Sequence, residues 1–306
     1  MDKYEQLNMS LEEKIQRSKE LILEWYLHFD GKVYVSFSGG KDSTVLLHLA
    51  RSIKGCENIP AVFCDTGLEY PEVRELVKTV DNVIWLKPKK TFKQVVENIG
   101  WPIISKEQAK YIHEIRNYTE YNKNRILSRK NFTLANKWRP LLDADFKISD
   151  RCCYVMKKGP AGIFERRNGM HPIVGTMASE SALRRQQYLK SQCNMYSAKH
   201  PVSRPLSFWT EQDVLRYILK YDLKIPSVYG DIVEEDGKLK TTMCDRTGCM
   251  FCMFGLHMEK GENRFDRMKK THPQLYTYIM DKLGGRHVME TYLKHAKKKK
   301  EKVDEA

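Results

Sequence analysis

The chain has 306 residues, of which 41% are hydrophobic, and a formal net charge of +14. That length allows one large core, or a main domain with a smaller appendage, and the positive excess favours a polyanionic partner such as nucleotide phosphate or nucleic acid. No apolar run approaches the roughly 18 residues of a spanning helix, and charged groups run through the opening positions, so neither a membrane segment nor a secretory leader is expected and the expected address is the cytoplasm.

Ser10 with Glu13 three residues on is a capping box, and Ile15, Ser18, Ile22, Trp25 and Phe29 form one stripe, so the chain is expected to open on an amphipathic helix. Residues 33–37 are apolar and β-branched and read as a buried strand; Thr44 to Ala50 reads as a helix with Val45, Leu46 and Leu49 inward. A second strand is expected in 59–67, a helix from Pro71, a third strand in 82–88, and a later strand in 171–177. Thr210 with Asp213 starts another helix, and a helical run over 264–282 closes the fold. Strands alternating with helices imply parallel βαβ units, hence an α/β fold with a doubly wound parallel sheet and a small Cys-rich C-terminal element. The expected division is an N-terminal helix (1–30), a nucleotide-binding domain (31–235), a Cys-rich element with its closing helix (236–290) and a charged tail (291–306). Within the second of these, residues 106–139 are a helical basic insertion with nine Lys or Arg against three Glu. Tyr111, Tyr118, Tyr121, Phe132 and Trp138 are interleaved there, a pattern that suits single-stranded nucleic acid and equally suits amphipathic helices with a solvated face.

The stretch SFSGGKDS, residues 36–43, joins the first strand to its helix. Free amides and the helix dipole converge there on a point suited to an anion. Gly39 and Gly40 let the backbone approach an oxyanion, Ser38 and Ser43 offer hydroxyls, and Lys41 offers the compensating charge. It is neither GxGxxG nor a Walker A loop, since Asp42 follows Lys41 where that motif needs Ser or Thr. Asp65 falls at the carboxyl end of an expected parallel strand, where open α/β sheets form their ligand crevices. Asp42 and Asp65 suit a Mg²⁺ held between phosphates, or simple capping. Arg184 suits phosphate, or an ordinary helix pair with Glu180.

Eight cysteines without an export signal point to metal or redox chemistry rather than disulfides. Cys249 and Cys252 form a CxxC, Cys244 offers a third sulfur, and the fourth comes from Cys152 or Cys153; the set suits tetrahedral zinc or a four-iron cluster.

SGGKDS resembles the PP-loop of the adenine-nucleotide α-hydrolase superfamily. VFCDTGLEYPEV (62–73), GTMASESALRR (175–185) and PLSFWTEQDVLRYI (205–218) resemble successive blocks of the phosphoadenosine phosphosulfate (PAPS) reductase family, so the likeness spans about residues 30–255. It implies that Ser36, Ser38, Gly39, Gly40, Lys41, Asp42 and Ser43, then Asp65 and Thr66, then Gly175, Glu180, Ser181 and Arg184, line a cleft for ATP or a related adenine nucleotide. The chain departs from the pattern at Met177, where the family block GxRxxES has arginine. Iron–sulfur members carry a CC pair before a lysine and a later CxxC. This implies a [4Fe-4S] cluster on Cys152, Cys244, Cys249 and Cys252, with Cys153 the chief substitute, Lys157 or Lys158 the lysine, and zinc the alternative. The arrangement is also similar to the DNA phosphorothioation enzymes of the same family. Reductase members attack sulfate with a late cysteine; none follows Cys252 here, leaving Cys193 or Cys64 as substitutes. The expectation is therefore an enzyme of sulfur metabolism that activates an acceptor by adenylation, releases pyrophosphate and passes on sulfur, with Lys41, Asp42 and Lys157 in the catalytic roles. Its alternatives are a PAPS or adenosine phosphosulfate reductase, and a zinc-containing nucleic-acid-binding protein.

Overall fold

The computed structural model describes residues 3–117, 119–128, 133–259 and 261–296. Tyr118, Arg129, Lys130 and Phe132 of the basic segment, and residues 297–306 of the tail, lie outside the described residues. Ten strands run in chain order among them: β1 (Val33–Ser36), β2 (Ala61–Cys64), β3 (Val83–Leu86), β4 (Ile103–Ile104), β5 (His171–Ile173), β6 (Asn194–Met195), β7 (Val202–Ser203), β8 (Ile232–Glu235), β9 (Lys238–Thr241) and β10 (Met253–Phe254). The described residues divide into two compact units, one lying within Met1–Asp65, Glu69–Lys87 and Pro160–Thr247, the other within Thr66–Leu68, Pro88–Gly159 and Gly248–Ala306.

The first unit is built on a six-stranded sheet of order β3-β2-β1-β5-β7-β6. Every pairing is parallel except β6 with β7. The expected parallel α/β sheet is therefore present; the short antiparallel edge at β6 was not legible, because two-residue strands carry no periodicity. β1 lies between β2 and β5, so the strand order reverses there, the position past the carboxyl ends where open α/β sheets form their ligand crevices. The helix Lys41–Arg51 follows β1 and buries Val45, Leu46 and Leu49 completely. Ser10 caps the helix Leu11–His28 in a capping box, and its stripe of Ile15, Ile22 and Trp25 joins the same core as Val33, Val35 and Leu46. Lys14 on this helix is buried against Asp213 at 2.7 Å, and Asp213 also closes the capping box of Thr210 at the start of the helix Glu211–Lys220.

In the second unit β4 and β10 pair in parallel, with Met253 opposite Ile103 and Phe254 opposite Ile104. The helix Lys106–Asn117 buries Ala109, Ile112 and Ile115, an amphipathic element. The run expected as one helix over 264–282 is broken: it divides into Arg264–Thr271, Pro273–Thr277 and Tyr278–Lys282, because Pro273 has no amide proton to continue the ladder. Residues 291–296, grouped with the charged tail in the sequence reading, continue the helix Gly285–Ala296 and bury Tyr292. No helix of the described residues is long and apolar enough to cross a membrane.

Candidate functional site

The segment after β1 forms a tight loop ahead of the helix Lys41–Arg51, whose N-cap is Gly40. Gly39 adopts φ +71°, and a Cβ there would stand 2.7 Å from both Val73 Cγ1 and Val77 Cγ2. Only glycine serves both the left-handed backbone and the close approach of the helix Pro71–Lys78. A Cβ on Gly40 would meet the Tyr229 hydroxyl at 3.0 Å, and one on Gly175, in the loop after β5, would meet the Asp42 carbonyl at 3.3 Å. Gly175 thus lets the loop after β5 approach Asp42, while Gly39 and Gly40 admit the helix Pro71–Lys78 and the Tyr229 hydroxyl.

The loop amides are not bare, contrary to the expectation of donors facing open space. Ser38 N donates to Ser43 Oγ (3.1 Å), Gly40 N to Ser38 Oγ (3.3 Å) and Lys41 N to the Tyr229 hydroxyl (3.2 Å). Neutral hydroxyl oxygens therefore hold donors that a phosphate or sulfate oxygen would hold more strongly, since bonds to charged acceptors are about twice as strong. Tyr229, which no motif singled out, is a further residue of this loop's environment.

Lys41 is buried, with its side chain 3% exposed. Its ammonium bonds the Asp245 carbonyl, lies 3.1 Å from Glu211 Oε1 and sits 5.2 Å from the centre of the Tyr229 ring. Asp42 Oδ1 is 4.0 Å from that ammonium and is buried without a hydrogen bond. Burial pushes the Asp42 carboxyl above the usual range, against the opposing pull of Lys41, Arg246 and Arg184. Ser36 ends β1 as an exposed residue.

Asp65, just past β2, is buried and pairs with Arg74 at 3.0 Å, while Thr66 Oγ1 accepts the Leu68 amide at 3.1 Å, a local turn. Ser181 caps the helix Ala182–Lys190 through the Arg184 amide. Glu180 Oε2 accepts the Met177 amide at 2.8 Å and pairs with Arg184, so the ordinary helix pair is formed; Glu180 Oε1 also lies 3.5 Å from Arg246. Met177 is buried in the core and offers the loop no charge.

In the second unit, Cys152, Cys153, Cys249 and Cys252 line one cavity with Leu68, Phe92, Pro102, Met156 and Lys157. Lys157 lies on the π-helical turn Tyr154–Lys158 that follows the cysteine pair. Burial pushes the Cys152 thiol well up; the charges of Cys153, Cys249 and Cys252 push it further, and Lys157 opposes them. Burial likewise raises Cys252 to about 11, with Cys249 and Cys153 adding to it, while an amide bond from Phe254 and the charge of Arg264 work the other way. Soft donors around an apolar hollow suit a cation in donor type. They are not drawn to ligand spacing: among the described residues no group of three or more His, Cys, Asp or Glu is gathered tightly enough to hold a metal ion. Cys244 belongs to the first unit and packs beside Val73, Val228 and Tyr229.

Of the two substitutes for a late nucleophile, Cys64 ends β2 and Cys193 is half-buried. Burial raises the Cys193 thiol despite Arg17, Lys3 and Arg204 nearby, which disfavours the thiolate a nucleophile needs. In the basic segment, Arg116 donates to the carbonyls of Leu141, Leu142, Ala144 and Phe146, and Trp138 is buried, so both serve the interior; Tyr121 is exposed.

Among known proteins, an adenosine 5'-phosphosulfate reductase of Staphylococcus haemolyticus (strain JCSC1435) is 27% identical over 208 residues, covering 66% of this chain and 67% of its own. Similar solved structures include a phosphoadenylyl-sulfate (PAPS) reductase from Candida auris as a phosphate complex, at 16% identity and a TM-score of 0.40, covering 72% of this chain and 89% of that one. Another is the FMN adenylyltransferase of Candida glabrata in complex with ATP, at 13% identity and a TM-score of 0.41, covering 77% and 67%. The phosphoadenosine phosphosulfate reductase domain matches residues 32–254, well over half of the sequence, and the chain belongs to that family.

Proposed function

We propose that this chain is a nucleotide-dependent enzyme of sulfur metabolism that binds ATP or an adenylyl sulfonucleotide with its phosphates on the loop Ser38–Ser43. The observation that carries the reading is Lys41, a 3% exposed cation at the mouth of a glycine loop whose amides are held by replaceable hydroxyls. A phosphate oxygen entering there gains the amides of Ser38, Gly40 and Lys41 and an ammonium already in place, so little reorganisation is needed.

The favoured reaction is activation by adenylation. An acceptor oxygen attacks the α-phosphorus of ATP, the bond to the bridging oxygen breaks, and the electron pair leaves on pyrophosphate. Lys41 and the loop amides stabilise that developing charge. Asp42, with its unbonded buried Oδ1, is the loop's own carboxylate for a Mg²⁺ between phosphates. The likeness to an adenosine 5'-phosphosulfate reductase supports a second reading, in which a sulfonucleotide takes up two electrons and releases sulfite.

Cys152, Cys153, Cys249 and Cys252 are the ligand set we favour for a [4Fe-4S] cluster, with zinc as the alternative. Such a group, when bound, supplies a fixed positive centre that holds its sulfurs as thiolates. Lys157 then balances the charge of the thiolates from the cavity wall.

Product analysis tests the reaction. Protein purified anaerobically is given ATP and Mg²⁺ with candidate acceptors, and separately adenosine 5'-phosphosulfate or PAPS with a dithiol reductant. AMP and pyrophosphate from the first support adenylation; sulfite from the second supports reduction. Absence of both products and of any nucleotide binding overturns the proposal.

A further inference from the structure

Met177 occupies the loop after β5 at the position where the block it resembles has arginine, and it is packed in the core. A guanidinium reaches the neighbouring carboxylate from a different part of the chain. Arg246 Nη1 lies 3.5 Å from Glu180 Oε1, with 60% of the Arg246 side chain exposed against 11% for Glu180. Glu180 already accepts the Met177 amide and pairs with Arg184, so two guanidinium groups share one carboxylate and the cluster keeps a net positive charge. The positive charge extends to the phosphate loop: Arg246 acts on Asp42 together with Lys41 and Arg184. The segment carrying Arg246 is anchored to that loop, since the Asp245 carbonyl accepts Lys41 Nζ and Thr247 Oγ1 lies 3.5 Å from the Tyr229 hydroxyl that holds the Lys41 amide.

We propose that Arg246 is a specificity-determining anion ligand of the phosphate-loop site, gripping the terminal oxyanion of an adenylyl nucleotide, the γ-phosphate of ATP or the sulfate of a sulfonucleotide. The inference rests on the nucleotide-binding reading and deepens it. A 3.5 Å contact made by a mostly exposed arginine is weak, and a planar fork meets a tetrahedral oxyanion through two parallel bonds, so exchange of Glu180 for the ligand is favourable. Arg184 keeps Glu180 paired when Arg246 turns away.

The test is calorimetric titration of the full chain with ATP and with AMP, for the wild type, Arg246→Met, Arg246→Lys and Arg185→Met, an exposed control on the helix Ala182–Lys190. Arg246→Met is expected to weaken ATP by about 10- to 100-fold, the range for loss of a hydrogen bond to a charged group, and to leave AMP within about twofold. Arg246→Lys falls between, because an ammonium keeps the charge without the fork, and Arg185→Met binds as the wild type does. Thermal melting of each variant confirms its fold, since Arg246 is a surface group. ATP binding by Arg246→Met within twofold of wild type, or an equal loss for ATP and AMP, overturns the inference and leaves the nucleotide reading standing. A wild-type chain that binds no adenine nucleotide overturns both.

Discussion

Gly39→Ala is the sharpest structural test of the phosphate loop. At φ +71° a non-glycine residue costs about 1–2 kcal/mol. Its Cβ would also lie 2.7 Å from the γ-methyls of Val73 and Val77, which are 1% and 0% exposed and have no room to retreat. Overpacking of that kind costs about 1–3 kcal/mol. Gly55 separates the two effects, because it has φ +87° and nothing within 4 Å of a Cβ, so Gly55→Ala carries the backbone strain alone. The difference between the two variants is therefore the clash, about 1–3 kcal/mol, or roughly a 5- to 150-fold change in an opening equilibrium. Native-state hydrogen exchange by mass spectrometry on peptides containing β1 reads that equilibrium within the first unit, free of the second. Equal protection in the two variants would refute the claim that the helix Pro71–Lys78 presses on the loop.

Other consequences are open to direct measurement. Lys14→Met strands Asp213 in the core and should cost about 3–5 kcal/mol, and the double variant Lys14→Met/Asp213→Leu should recover part of that loss in denaturant melts; equal stability of single and wild-type chains would contradict the burial of this pair. Asp42 has a folded-state pKa above its unfolded value, so its contribution is fully present below the ordinary Asp range and is lost as pH rises through the raised value. Asp42→Asn should therefore stabilise the ligand-free chain more at pH 7 than at pH 4, and a stabilisation that shrinks with rising pH would show the sign to be wrong. Anaerobic preparations should contain iron and sulfide, or zinc, at a content cut by half or more in Cys153→Ser and Cys249→Ser and unchanged in Cys244→Ser. A loss in Cys244→Ser equal to theirs would return that residue to the ligand set.

The parallel sheet and the glycine loop after β1 were legible because buried β-strands and amphipathic helices leave strong local periodicity, and because caps such as Ser10–Glu13 and Thr210–Asp213 are written within four residues. Contacts made across long sequence separations were not. Tyr229 reaches Lys41 from 188 residues away, and the Asp245 carbonyl from 204, and neither has a local signature. Cys244, which spacing groups with Cys249 and Cys252, packs beside Val73, Val228 and Tyr229, and that contact has no local signature either. Cys193 illustrates a different limit: its basic neighbours and its burial act on the thiol in opposite directions, and the burial that decides the sign has no local signature. Arg116 likewise counted toward a basic surface until four carbonyls claimed it.

Calorimetric titration of ATP, adenosine 5'-phosphosulfate and PAPS into the wild-type chain and into Lys41→Met bears most directly on the account. The prediction is saturable binding of at least one of these nucleotides by the wild type and a loss of about 100-fold or more in Lys41→Met, in line with removal of a buried charge-assisted contact, with melting of the variant unchanged or raised. Binding that persists unaltered in Lys41→Met, or no heat from any of the three with folded wild-type protein, would contradict it.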